Sequence, residues 1–247
     1  KSRQDLNYQE QIALNDERHR LLVQDIEQAG VKSAIIIARG KSAEKIQLEK
    51  DRSDLVVFVN EVESHLSSKE ILNVAQAAKM TFSYLNTAIE NLASQEAADK
   101  LKIKYFQSNK KMFAHDTPHW MIPACSRLIT APYTNQDLGH LNFGFMPSFF
   151  DDTKNMKTNG LMTVRWCIEC LKVDKVRIYG LDFFEAPYQH YHINTGSPEV
   201  LEYQPGKGRI AKEEFLDVCK TATNSSIEIY TYADFSMYDI PENLTFL

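Results

Sequence analysis

The sequence is short of the features that mark an unusual class of protein. Four cysteines among 247 residues exclude a disulfide-dense mini-protein, and a chain of this length buries enough surface to fold without a staple. Nine glycines and eight prolines, with no repeat or low-complexity stretch, exclude a collagen-like fibre. No apolar run reaches about 18 residues, so no segment reads as a membrane span. There is no surplus of base: 28 Lys and Arg stand against 33 Asp and Glu, and a net charge of −5 argues against a nucleic-acid partner. What is present is ordinary for a globular protein, with 43% hydrophobic and 25% charged residues.

The cysteine count suits a reducing compartment. Cys167 and Cys170 form a C-x-x-C with no second pair and no His at ligand spacing, so they read as small buried hydrophobes, as do Cys125 and Cys219. His115 and His119 are four apart, but Pro118 between them forbids a regular helical display, and loop packing is the better reading. Asp151-Asp152 reads as a solvated turn, and no metal site is expected. The start at Lys1 rather than Met predicts a processed or excised piece, with anything upstream unseen.

Residues 2–29 read as a charged helix ended by Gly30, a surface for an oligomer contact. Residues 31–247 read as one α/β domain. Ser33–Ala38 and Leu55–Val59 are short apolar runs of the kind buried on both faces of a parallel sheet, Lys175–Tyr179 reads as a further strand and Ile227–Tyr230 as a last buried one. Met80–Ser83, Lys104–Gln107 and Arg127–Thr130 read as weaker strands. Helical periodicity marks 67–79, 84–101, Thr158 to about Leu171, and Ile210–Thr221, and Lys41–Ile46 looks like a helix start. Residues 131–157 read as an irregular, lid-like segment and 185–208 as a loop. Strands alternating with helices predict a Rossmann-like, mainly parallel sheet flanked by helices.

In such a sheet ligands bind beyond the carboxyl ends of the strands. Three polar segments fall there. Ala38-Arg39-Gly40-Lys41-Ser42 places a glycine at a strand-to-helix turn, where backbone N–H groups suit phosphate, although it is neither G-x-G-x-x-G nor a Walker loop. Val57-Phe58-Val59-Asn60 ends a strand in an amide that pairs with a sugar or base edge. Thr158-Asn159-Gly160 opens a helix, and the strand after it ends in Gly180-Leu181-Asp182-Phe183-Phe184.

On these residues the chain resembles the bacterial sialyltransferases that use CMP-sialic acid. Their first strand leads into a Gly-Asn-Gly-Pro-Ser-like loop, their second ends in Asn, and a Thr-Ser-Gly helix start precedes Gly-Ile-Asp-Phe-Tyr. The segment Thr158–Phe184 is also similar to the Ser-Thr-Gly-Leu and Tyr-Gly-Phe pattern of the animal enzymes. The resemblance covers about residues 32–60 and 155–220 and is patchy between them. It implies a sialyltransferase-like glycosyltransferase fold and metal-independent transfer of an acidic sugar, sialic acid or Kdo-like, from a CMP-sugar donor to a hydroxyl of a glycan acceptor. No cofactor is implied beyond that donor. Other readings stay open: a transferase using another nucleotide sugar, or a non-catalytic nucleotide-binding or scaffold domain. The implied location is cytoplasmic or peripheral to a membrane, or the Golgi lumen for a eukaryotic chain truncated upstream.

By the same resemblance Arg39, Gly40 and Ser42 lie at the cytidine monophosphate (CMP), Asn60 binds the nucleotide, and Thr158, Asn159, Gly160 and Gly180 shape its base and ribose side. Tyr188 reaches the phosphate. Phe184 stands where the bacterial enzymes carry a phosphate-contacting tyrosine, so that hydroxyl is missing. Gln204–Gly208 lacks the family's catalytic His, which leaves His190 and His192 as candidate bases. Asp182 and Glu185 are the alternative carboxylates, Asp182 being better suited to orienting its own turn.

Overall fold

The computed structural model describes residues 8–60, 62–85, 95–111, 142–150, 158–185, 188–191, 198–201 and 205–247. Its centre is an all-parallel sheet of eight strands: β1 (Ser33–Ile37), β2 (Leu55–Val59), β3 (Met80–Leu85), β4 (Tyr105–Lys111), β5 (Asn142–Met146), β6 (Lys175–Tyr179), β9 (Ser226–Ile229) and β10 (Leu244–Phe246). Their order is β10-β9-β6-β1-β2-β3-β4-β5. Two further strands, β7 (Tyr188–Tyr191) and β8 (Pro198–Leu201), form a separate antiparallel pair.

The chain builds outward from β1 through β2 to β5, then returns to lay β6 on the other side of β1. The winding therefore reverses between β1 and β6. Such a switch point opens a crevice at the carboxyl ends of the two strands, because the loops leaving them part to opposite sides.

The uninterrupted apolar run of β1 is explained by two layers of cover. Ala34 and Ile36 face one core, and Ile35 and Ile37 face another. The first core is closed by α1 (Tyr8–Gln28) through Leu22 and Ile26, by α4 (Asn159–Arg165) through Leu161 and Val164, and by α5 (Pro205–Thr221) through Ala211 and Phe215. The second is closed by α2 (Lys69–Ala77) through Ile71 and Val74 and by α3 (Gln95–Lys100) through Ala97 and Ala98. The expected Rossmann-like arrangement is thus what the chain forms. Across the β6–β9 part of the second face a polar lattice is laid. Arg177 pairs with Asp51 and Glu228, and the Tyr179 hydroxyl donates to Asp51 at 2.7 Å.

Helix α1 also guards the edge of the sheet. The Phe145 amide donates to Asn15 Oδ1 at 2.9 Å and the Ser148 amide to Asp16 Oδ1 at 2.8 Å, which ties α1 to β5 and to the turn after it. An otherwise exposed edge strand is covered in this way.

Several expectations need correction. Of the helix expected over 84–101, residues 84 and 85 belong instead to β3, α3 covers Gln95–Lys100, and residues 86–94 lie outside the described residues. The aromatic-rich stretch 131–157 contains β5, whose apolar residues join the sheet despite Gly144. That glycine is required, since a Cβ there would fall 1.9 Å from the Tyr105 hydroxyl oxygen. The loop expected over 185–208 holds β7 and β8, and α5 begins at Pro205, five residues early, because proline suits a first helical position. Strand β10 was not anticipated. Arg127–Thr130, Cys125, His115 and Asp151 lie outside the described residues.

Candidate functional site at the switch point

The carboxyl ends of β1 and β6 are bolted together by polar groups. The Gly40 amide donates to the Gly180 carbonyl at 2.8 Å, the Gly180 amide to Ser42 Oγ at 2.9 Å, and the Ser42 amide to Asp182 Oδ2 at 2.9 Å. The other oxygen of Asp182 accepts from the Tyr232 amide at 3.1 Å, which ties in the chain leaving β9. Both glycines are required by contact. Gly180 has φ +75°, and a Cβ there would sit 2.2 Å from the Ala38 carbonyl oxygen; one on Gly40 would meet Asp182 Oδ2 and the Gly180 oxygen, each at 2.5 Å.

This lacing revises the expectation of a phosphate loop. Lys41–Lys45 is a 3-10 turn and not an α-helix start, and the amides of Gly40, Ser42 and Ala43 donate within the protein. The Gly40 and Ser42 amides are spent on fastening this loop to the β6 end. Charge at this loop comes instead from the side chains of half-buried Arg39 and exposed Lys41. Ser42 and Asp182 are buried, and their hydrogen bonds act as braces.

Asn60 and Asn159 meet across the crevice. Asn60 ends β2 in a left-handed conformation, φ +65°, and its Oδ1 accepts from Asn159 Nδ2. Thr158 caps α4 by accepting from the Leu161 amide at 3.2 Å. Gly160 lets that helix start close on the Gly180 loop: a Cβ would lie 2.8 Å from Leu181 Cδ1. An unbroken chain of contacts thus runs from Asn60 through Asn159 and Gly160 to Leu181, Gly180, Asp182, Ser42 and Gly40. These residues lie together at the carboxyl edge of the sheet.

The turn after Gly180 is strained. Phe183 and Phe184 both lie in the left-handed region, at φ +49° and +59°, where a bulky side chain costs on the order of 1–2 kcal/mol. Phe183 is anchored against the rings of Phe215 and Phe235. Buried Lys212 of α5 pairs with Glu185 and donates to the Asp234 carbonyl at 2.9 Å. Gly208 completes the clamp, since a Cβ would fall 2.4 Å from the Phe183 carbonyl oxygen. Glu185 is thereby engaged by Lys212 and by the Asp234 amide.

Of the two candidate bases, His190 is among the described residues. His190 lies on β7, opposite Glu199 of β8, and Tyr188 lies opposite Leu201. Strand β7 packs beside the 3-10 turn Glu63–Ser67 that follows β2, which brings it to the carboxyl edge. His192 lies outside the described residues. The same turn carries a residue that the sequence reading missed. His65 is 5% exposed, and its ring packs at a tilt against Phe58, centroids 5.5 Å apart. Burial lowers its pKa to about 4, and the Arg39 guanidinium pushes in the same direction. Its position five residues past the Asn60 strand end was the available signal.

Among the described residues, no group of three or more His, Cys, Asp or Glu side chains is placed to hold a metal ion, and no helix is long and apolar enough to cross a membrane. No protein-family model matches the chain, and comparison with curated proteins found no match.

Proposed function

We propose that the protein is a glycosyltransferase that moves an acidic sugar from a CMP-sugar to a hydroxyl of a glycan acceptor. The observation that carries this reading is the convergence of Arg39, Asn60, Asn159 and the Gly180–Asp182 turn at one switch point, in the order that the sialyltransferase resemblance requires. In this reading Asn60 and Asn159 present amide donors and acceptors to the base and ribose, and Arg39 faces the phosphate. CMP is a good leaving group, so catalysis needs chiefly positioning, charge stabilisation and one proton acceptor. The acceptor oxygen bonds to the anomeric carbon as the bond from that carbon to the phosphate oxygen breaks. His190 or His192 takes the hydroxyl proton, and CMP departs with the bonding pair.

One residue favours a non-catalytic alternative. Phe184 supplies no hydroxyl at the phosphate, leaving that task to Tyr188 and Arg39. Calorimetric titration with CMP, UMP and GDP tests the ligand class: CMP is expected to bind most tightly, and preference for UMP moves the reading to another nucleotide sugar. Alanine at the catalytic His is expected to lower turnover by about 10²–10⁴ while donor binding persists. Near-normal transfer by the His190→Ala, His192→Ala double variant removes both from the chemistry. Nucleotide binding without transfer or donor hydrolysis supports the scaffold reading.

A further inference from the structure

The β2–β3 side of the carboxyl edge carries buried polar atoms that the fold does not use. His65 Nε2, the Ser64 hydroxyl and the Ser83 hydroxyl are each buried without a hydrogen-bond partner. They are neighbours by construction. Ser64 and His65 share one turn, the His65 ring packs against Phe58, and Phe58 lies in register with Ser83 on the adjacent strand. A buried, unpaired polar atom costs more than an apolar replacement of the same shape. Packing alone would be better served by a phenylalanine at position 65, its ring against Phe58 in the same way.

Position supplies the use. Arg39 leaves β1 toward the same edge and lies close enough to disfavour the imidazolium. Strand β7, with Tyr188 and His190, packs beside the turn. An imidazole held neutral near pH 7 is a poor partner for phosphate, which would draw a proton onto it, and a good one for an uncharged hydroxyl, to which it can donate or from which it can accept.

We propose that His65 is a ligand-binding residue whose Nε2 hydrogen-bonds a hydroxyl of the CMP-sugar, on the ribose or on the transferred sugar, beside the phosphate held by Arg39. This rests on the nucleotide-sugar reading above and adds to it a residue that the family resemblance does not supply.

The test compares His65→Phe, which keeps the ring contact with Phe58 and removes the nitrogens, with His65→Gln, whose amide places a polar group near Nε2. Thermal unfolding without ligand is read alongside calorimetric titration of CMP and CMP-sialic acid. The expected result is a His65→Phe protein at least as thermostable as wild type that binds CMP-sialic acid roughly three- to tenfold more weakly, the worth of one hydrogen bond. Gln is expected to restore part of that loss. An equal loss with CMP places the contact on the ribose; a loss confined to CMP-sialic acid places it on the sugar. Wild-type affinity of His65→Phe for both ligands overturns the proposal and leaves the nucleotide-sugar reading standing. Failure of wild type to bind either ligand overturns both.

Discussion

Two polar clusters flank the carboxyl end of β1 and are built on opposite terms. Toward β6, Ser42, Gly180 and Asp182 exchange hydrogen bonds, and the two Asp182 oxygens accept from backbone amides of two different loops. Toward β2 and β3, Ser64, His65 and Ser83 bury atoms with no partner at all. The same residue types, a serine and a titratable group at a strand end, therefore serve two ends. A paired buried group holds loops in place, because removing its partner leaves a donor or acceptor stranded. An unpaired one adds no hydrogen bond to the fold, and at His65 the proposal above gives it a ligand to hold.

The largest effect that sharpens this contrast is on Asp182. Its replacement by Ala strands the Ser42 and Tyr232 amides and loosens three strand ends at once, an expected loss of roughly 3–6 kcal/mol in unfolding free energy. Denaturant titration reads it directly. An Asp182→Ala protein of unchanged stability that has lost transfer would break the comparison and return the carboxylate to the chemistry.

Next comes acidification. His65 and His19 both have pKa values lowered to about 4, chiefly by burial. In the unfolded chain a histidine protonates near pH 6.5. Between those limits the unfolded state holds protons that the folded state refuses, so stability is full above about pH 6.5 and falls as the pH drops toward 4. At pH 5 each buried histidine is expected to have cost about 2 kcal/mol. The midpoint of urea unfolding, followed from pH 7.5 to 5, checks this. Phe at position 65 should flatten part of the slope, and an unchanged slope would show that His65 does not stay neutral in the fold.

How far the sequence announced these features depends on the physics behind each. The strands β1 and β2 were legible because burial on both faces forces a continuous apolar run. The site glycines were legible because left-handed turns and close backbone approach leave few alternatives, as at Gly180. Strand β5 was hidden in an aromatic, glycine-bearing stretch whose pairing is decided by β4 and α1, both remote in sequence. The bracing role of Ser42 was hidden for the same reason, since its partners lie 138 and 140 residues away. His65 carried a positional signal only; its want of a partner is a property of the folded surroundings.

Asn159 stands between the two clusters, bonded to Asn60 across the crevice. If these amides pair with the nucleotide, Asn159→Ala weakens CMP binding by roughly 1–2 kcal/mol, about five- to thirtyfold in Kd. The fold should tolerate the change, because α4 keeps its Thr158 cap. Unaltered CMP affinity in that variant would detach α4 from the ligand and leave the site to the β1 and β2 ends alone.

The smallest effect is the most direct contrast of the two clusters, since it makes one chemical change on either side. Ser42→Ala removes the oxygen to which the Gly180 amide donates at 2.9 Å, and the buried amide is left without it. A cost of about 1–3 kcal/mol is expected. Ser83→Ala removes a hydroxyl that bonds to nothing, from a position 0% exposed and beside Phe58. Here the desolvation that the hydroxyl suffers on folding is relieved with no hydrogen bond lost. Serine and alanine differ by one atom, so the space left is too small to offset that gain. Stability should rise by a few tenths to about 1 kcal/mol, read as a small upward shift in Tm. Equal destabilisation by the two substitutions would mean that Ser83 is braced as Ser42 is. The β2–β3 side would then be ordinary core, and the distinction between a bolted half and an open half of this edge would fall.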